Sequence, residues 1–142
     1  HLAADAIDGK IYVVGGRFEG GFRSERTDIV EVFDPKTNQW SKRRSMLRPR
    51  GGVNGIAANG CFHLFGGEGN PEHPYGIYPD HDYYNPVSDT WHRLENMPIP
   101  VHGVTGMAFI KGLIHLTGGG TTQGGSSGTT LHQVYKPSMS CK

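Results

Sequence analysis

Three copies of one pattern, IYVVGG, CFHLFGG and LIHLTGG, recur along the chain with glycine pairs at Gly15-Gly16, Gly66-Gly67 and Gly118-Gly119, offset by 51 and 52 residues. The same step carries Pro35 to Pro86 to Pro137, Phe33 to Tyr84 to Tyr135, Trp40 to Trp91, Met46 to Met97 and Gly52 to Gly103. A period near 50 residues means that each unit hides its apolar face only by stacking on its neighbours. The chain of 142 residues holds about 2.8 such units. Its 22 glycines and 9 prolines fall in register with the repeat, so they read as turns and not as disorder.

Each unit reads as short strands. An inner strand (2–7, 53–58 or 104–110) runs into a two-residue turn, Asp8-Gly9, Asn59-Gly60 or Lys111-Gly112. Asp-Gly and Asn-Gly suit such hairpins because both central residues need positive φ. The second strand, 11–14 in the first copy, is almost continuously apolar, as expected of a sheet packed on both faces. A glycine pair closes it, where backbones must bend or approach closely. The third strand (29–33, 81–84, 131–135) ends on an aromatic and enters DPKTNQW, NPVSDTW or KPSMSCK. Proline presets φ for a tight turn, and Trp40 and Trp91 then anchor a fourth, outer strand. The third copy reaches Lys142 where a third tryptophan would fall. We therefore expect an all-β protein with two complete four-stranded units and one of three strands.

The totals exclude several classes. A net charge of +1 leaves no overall footprint for nucleic acid, and no nucleic-acid partner is expected. No apolar run is long enough for a membrane helix, and HLAADAIDGK resembles no export signal. The chain reads as soluble, with no membrane partner and its compartment unread. Two cysteines, Cys61 and Cys141, are too few for a disulfide framework or a cysteine-built zinc site. Cys61 stands where Lys10 and Leu113 stand, so it reads as a small apolar filler at a strand end, with a reactive thiol as the alternative.

DGKIYVVGG, followed by VEVFDPKTNQW and a Met-x-x-Pro segment, resembles a Kelch repeat, as does the second copy; the third lacks the tryptophan. The resemblance covers essentially the whole chain. It implies blades of a β-propeller, blade 1 over 1–46, blade 2 over 47–97 and blade 3 over 98–142. Six blades are common in that family, so the chain would supply half a ring. The other half would come from a longer chain or from a second copy, and self-association is expected because an open arc exposes apolar blade faces.

Alternating strands put the short turns on one rim and the long loops, 17–27, 68–79 and 120–129, on the other, with the links at 48–52 and 98–103. Loops on a rigid scaffold are where binding usually resides. The first loop offers Arg17, Arg23 and Arg26 with Phe18 and Phe22; the second offers Glu68, His73, Tyr75 and Tyr78. Arg50 precedes an inner strand, where it could point toward a central opening, and His102 lies in the second link. Aromatics and arginine dominate binding hot spots, so Arg17, Arg23, Arg50, Glu68, His73, Tyr75 and His102 are the candidate ligand-binding residues.

Other constellations carry less. GGGTTQGGSSGTT lacks the Gly-Lys-Ser/Thr ending of a phosphate loop. His73, Asp80, His81 and Asp82 include metal-ligand types, but His81 and Asp82 fall at ordinary strand positions, so no metal is assigned. His63 and His115 replace Tyr12 as packing residues. The basic run of Lys42, Arg43, Arg44, Arg48 and Arg50 reads mainly as a solvated edge.

The leading expectation is a non-catalytic binding module for a protein or glycan, with no cofactor and no catalytic set. The alternative implied by the resemblance is a fragment of a carbohydrate-active propeller enzyme. Resemblance to galactose oxidase would require a cysteine-linked tyrosine and copper ligands, motifs that this sequence does not match. Resemblance to sialic acid mutarotase would require an acid or base at the channel mouth, for which Glu68 and His102 are the candidates.

Overall fold

The computed structural model describes residues 1–19, 24–104 and 106–142, and the architecture within them is all β. The first sheet is β1 (Ala3–Ile7), β2 (Lys10–Val14), β3 (Val30–Asp34) and β4 (Gln39–Lys42), paired in that order and antiparallel throughout. The second repeats it with β5 (Asn54–Ala58), β6 (Cys61–Phe65), β7 (His81–Asn85) and β8 (Thr90–Arg93). The third holds β9 (Met107–Ile110), β10 (Leu113–Thr117) and β11 (His132–Tyr135), and among the described residues no fourth strand follows. The innermost strands are neighbours, β5 lying against β1 on one side and β9 on the other. These are propeller blades, two of four strands and one of three. Among the described residues no helix is long and apolar enough to cross a membrane.

The turn chemistry operates as the residues dictate. Asp8 and Gly9 have φ of 49° and 76°, Asn59 and Gly60 52° and 79°. Lys111 adopts 49° without the Asn or Asp side chain that usually eases that conformation. Trp40 pairs across the strands with Phe33 and Trp91 with Tyr84, ring centroids 5.1 and 5.3 Å apart. The core lies between blades. One cluster, including Val14, Val32, Phe62, Leu64, Tyr84 and Trp91, fills the gap between the first two sheets. Another, including Ile56, Phe65, Met97, Val101, Ile114 and Leu116, lies between the second and third.

One expectation is corrected. Cys61 is not a lone apolar filler, because it is joined to Cys141 in a disulfide across 80 residues of sequence. Cys141 N–H donates to the Asn59 carbonyl, and the Asn59 amide donates to the Met139 carbonyl. The segment after β11 thus crosses from the third blade to the inner hairpin of the second. Two cysteines so far apart give no local signal of pairing; the stacking of blades puts strand β6 beside the neighbouring blade's tail.

Candidate functional site

The long-loop rim is built by backbone pairing before any side chain acts. Single antiparallel bridges join Arg17 to Arg26, Gly51 to Glu68, Glu68 to Ile77, His102 to Gly120 and Gly120 to Gly128. Each loop is therefore paired within itself or to the link beside it. Gly16 N–H donates to the Arg50 carbonyl and Gly67 N–H to that of Val101, which fastens the first two glycine pairs to the links that follow them.

Two buried ionic clusters sit in this frame. In the first, the Glu68 carboxylate is 2.7 Å from Arg17 Nη2, accepts from Gly124 N–H at 2.8 Å, and lies 3.5 Å from His102 Nδ1. One side chain of blade 2 thereby holds the loop of blade 1, the loop of blade 3 and the link between blades 2 and 3. The other ring nitrogen of His102 is 2.8 Å from the Thr122 carbonyl. In the second cluster the wholly buried Arg50 pairs with Asp82 and donates to the Gly66 and Asp80 carbonyls at 3.0 and 3.3 Å. Arg93 binds Asp80 at 2.5 Å and Asp82 at 2.6 Å, and Arg48 lies 3.4 Å from Asp80. Burial pushes the Asp82 carboxyl up against the opposing pull of Arg50 and Arg93, and it draws the Arg50 guanidinium down against that of Asp82 and Asp80. The guanidinium keeps its proton in a protein, so the cluster remains ionic.

The sequence candidates divide accordingly. Arg17, Arg50, Glu68 and His102 are buried and bonded to other parts of the rim. The structure brings Glu68 and His102 together, but their polar atoms are taken up by neighbouring groups. His73 is half-buried and orders its own loop, with Nδ1 accepting from Tyr75 N–H at 3.3 Å. Tyr75 is 61% exposed, while its carbonyl accepts from Gln123 N–H at 2.8 Å. Phe18 is exposed on the same rim, and Arg48 lies over the Tyr78 ring. Arg23 and Phe22 lie outside the described residues. The glycine-rich third loop is folded onto the second through Gln123 and Gly124. Sequence reasoning missed Arg93. Its signal was its repeat position, since Lys42 stands opposite Glu31 as Arg93 stands opposite Asp82.

The histidine set has a packing geometry. His81 stacks on Phe65 with ring centroids 3.8 Å apart, and its Nε2 is 3.1 Å from His63 Nδ1. Desolvation holds both rings neutral, with pKa lowered to about 3 for His81 and about 4 for His63.

A family profile described as "Kelch motif" matches residues 1–47. Kelch-like protein terF of Aspergillus terreus is 31% identical over 130 residues, which covers 91% of this chain and 28% of that protein. Kelch-like ECH-associated protein 1B of Danio rerio is 30% identical, covering 86% of this chain and 19% of the relative. F-box/kelch-repeat protein At1g67480 of Arabidopsis thaliana is 35% identical over 67% of this chain and 24% of its own length. The chain thus spans between 19% and 28% of these three relatives. A solved structure titled "Structure of YjhT" superposes with a TM-score of 0.70 at 17% identity, over 85% of this chain and 45% of that one. At that identity the likeness is one of fold.

Proposed function

We propose, from the premise that this chain belongs to the Kelch-repeat family, that it is a non-catalytic binding module whose long-loop rim holds a protein partner. The observation that carries this reading is Tyr75, an aromatic held out in solvent by a backbone fixed to the neighbouring blade's loop. Binding surfaces favour such residues because they offer large area with a polar tip and lose little freedom on contact. The buried Glu68 and Arg50 clusters support it by stiffening the platform, which lowers the ordering cost of association.

The carbohydrate-enzyme reading gains little. A cross-linked cysteine of the copper-oxidase kind has no free thiol to draw on among the described residues, where Cys61 and Cys141 are bonded to each other. Glu68 and His102, although adjacent, are occupied in holding the loops.

The test uses the chain as bait for affinity capture, followed by quantitative binding of the captured protein. Tyr75→Ala and Phe18→Ala should each weaken binding about tenfold without changing the thermal midpoint. Unchanged affinity in both variants sinks the rim assignment, and saturable binding to a glycan array with no protein capture transfers it to carbohydrate.

A further inference from the structure

The three inner hairpins share a backbone but differ in what they carry and in what covers them. Asp8-Gly9, Asn59-Gly60 and Lys111-Gly112 take positive φ at both residues. A Cβ added at Gly9 or Gly112 would meet nothing within 4 Å, whereas one at Gly60 would lie 3.3 Å from the Cys141 carbonyl oxygen. The roofed turn is therefore the one in which asparagine precedes glycine. That pair is chemically labile. A glycine amide nitrogen has no Cβ beside it to hinder attack on the carbonyl carbon of the asparagine side chain.

The segment at 139–141 holds the reacting groups apart. Asn59 Nδ2 donates to the Met139 carbonyl at 3.3 Å, which fixes the side-chain amide. The Asn59 main-chain carbonyl accepts from Cys141 N–H at 3.0 Å and from the Ser140 hydroxyl at 3.4 Å. Those two bonds fix the peptide plane that also contains the Gly60 nitrogen. Ring closure requires the side chain and this plane to rotate toward each other, so all three bonds oppose it. Asn59 and Gly60 are both half-buried. Cys61, the next residue, is the one bonded to Cys141, so the covalent lock lies directly beside the groups that the segment shields.

We propose that Asn59 is a site of spontaneous deamidation gated by the Cys61–Cys141 bond, shielded while the bond is closed and opened when a dithiol reduces it and the segment at 139–141 lifts. In the first step the reductant gives up two electrons and two protons and becomes a disulfide, and Cys61 and Cys141 become thiols. In the second, the Gly60 nitrogen bonds to Asn59 Cγ, Nδ2 departs as ammonia with the proton lost from Gly60, and a succinimide remains. Water then opens that ring at either carbonyl and leaves aspartate or isoaspartate. The product opposes return of the segment. Aspartate lacks the N–H that bound Met139 and sets an acceptor against that carbonyl, while isoaspartate lengthens the main chain inside a two-residue turn. A transient reduction is thereby converted into a lasting change. The hairpin lies on the short-turn rim, so failure of this proposal leaves the long-loop rim assignment standing.

The test compares the oxidised chain with the chain held in dithiothreitol, both at neutral pH and well below the reduced protein's thermal midpoint. Peptide mass spectrometry follows deamidation and isoaspartate at Asn59. The reduced chain should react about tenfold faster or more, because three hydrogen bonds of ordinary net worth are released. The double variant Cys61→Ser, Cys141→Ser should react at the fast rate without reductant, which separates the bond from any effect of the thiol. Asn59→Asp should shift the thiol–disulfide equilibrium in glutathione buffer toward the dithiol form. Asp8-Gly9, with the same turn and no cover, is the internal reference, and its isomerisation should proceed equally in both states. Hydrogen exchange at the paired β5 and β6 amides shows that the hairpin itself stays folded. The proposal falls if Asn59 reacts at the same rate in both states, zero included, or if Asp8-Gly9 accelerates equally. It falls too if acceleration appears only where the β5 and β6 amides have lost protection, which assigns it to global unfolding. An unmoved equilibrium in Asn59→Asp overturns the lasting change.

Discussion

His63 and His81 show how one blade position can hold different chemistry. The first blade has Tyr12 and Val30 there; the second has two imidazoles with facing nitrogens 3.1 Å apart. Both pKa values are lowered, chiefly by desolvation, from 6.5 to about 4 and about 3. The unfolded chain therefore takes up protons at a pH where the folded pair does not. The stability they allow is complete above pH 6.5 and is lost progressively as pH falls toward 4, by several kcal/mol at the upper limit. Asp34 and Asp89 are lowered below 3.8 by hydrogen bonds, so their contribution is lost only below that value. Asp82, raised by burial, works in the opposite direction. Chemical denaturation from pH 7 to 4 should show a steep loss of stability in the parent. The double variant His63→Phe, His81→Val should flatten that slope, and an unchanged slope would remove the pair from the account.

At the scale of the strand and its turn, the glycine pairs occupy equivalent sequence positions in unequal surroundings. Gly15, Gly66 and Gly118 have φ of 63°, 61° and 73°. A Cβ at Gly66 would collide with the Val101 carbonyl, one at Gly15 would come 2.9 Å from the Met46 sulfur, and one at Gly118 would meet nothing closer than 3.3 Å. Left-handed backbone costs an L-residue about 1–2 kcal/mol in all three. Alanine substitution should therefore lower stability least at Gly118, more at Gly15, and most at Gly66, where a fixed backbone carbonyl must move. Urea midpoints give the order, and equal losses would show that conformation alone decides them. The strands, turns and tryptophan pairing were legible because each is written within a few residues. The ionic clusters were not: Arg17 meets Glu68, and Arg50 meets Asp82, only after the blades or links have been brought together.

For the molecule as a whole, the disulfide and the open faces govern behaviour. Cys61–Cys141 closes a loop of 80 residues, and on the chain-entropy account its reduction should cost about 4 kcal/mol. Denaturation with and without reductant measures this, and a loss below about 1 kcal/mol would mean that the unfolded chain is little constrained by the bond. Trp40 is 56% exposed on the first blade, with Ile11 and Leu2 also exposed, and Ile110 and Val134 are exposed on the third. Scattered apolar residues are ordinary, but apolar side chains gathered on one open blade face favour association. Light scattering at micromolar concentration should give a mass above that of one chain, and Trp40→Lys should reduce it. A strictly monomeric parent would count against self-association.

The sequence by itself determined the period, the all-β blades, the hairpin turns and the aromatic that ends each third strand, because each depends on short-range sterics and a pattern repeated in register. Only the tertiary structure decided that Cys61 meets Cys141, and that Arg50 and Glu68 are buried braces while Tyr75 is presented to solvent. Those outcomes depend on which residues of different blades become neighbours, and on what water can still reach once they have.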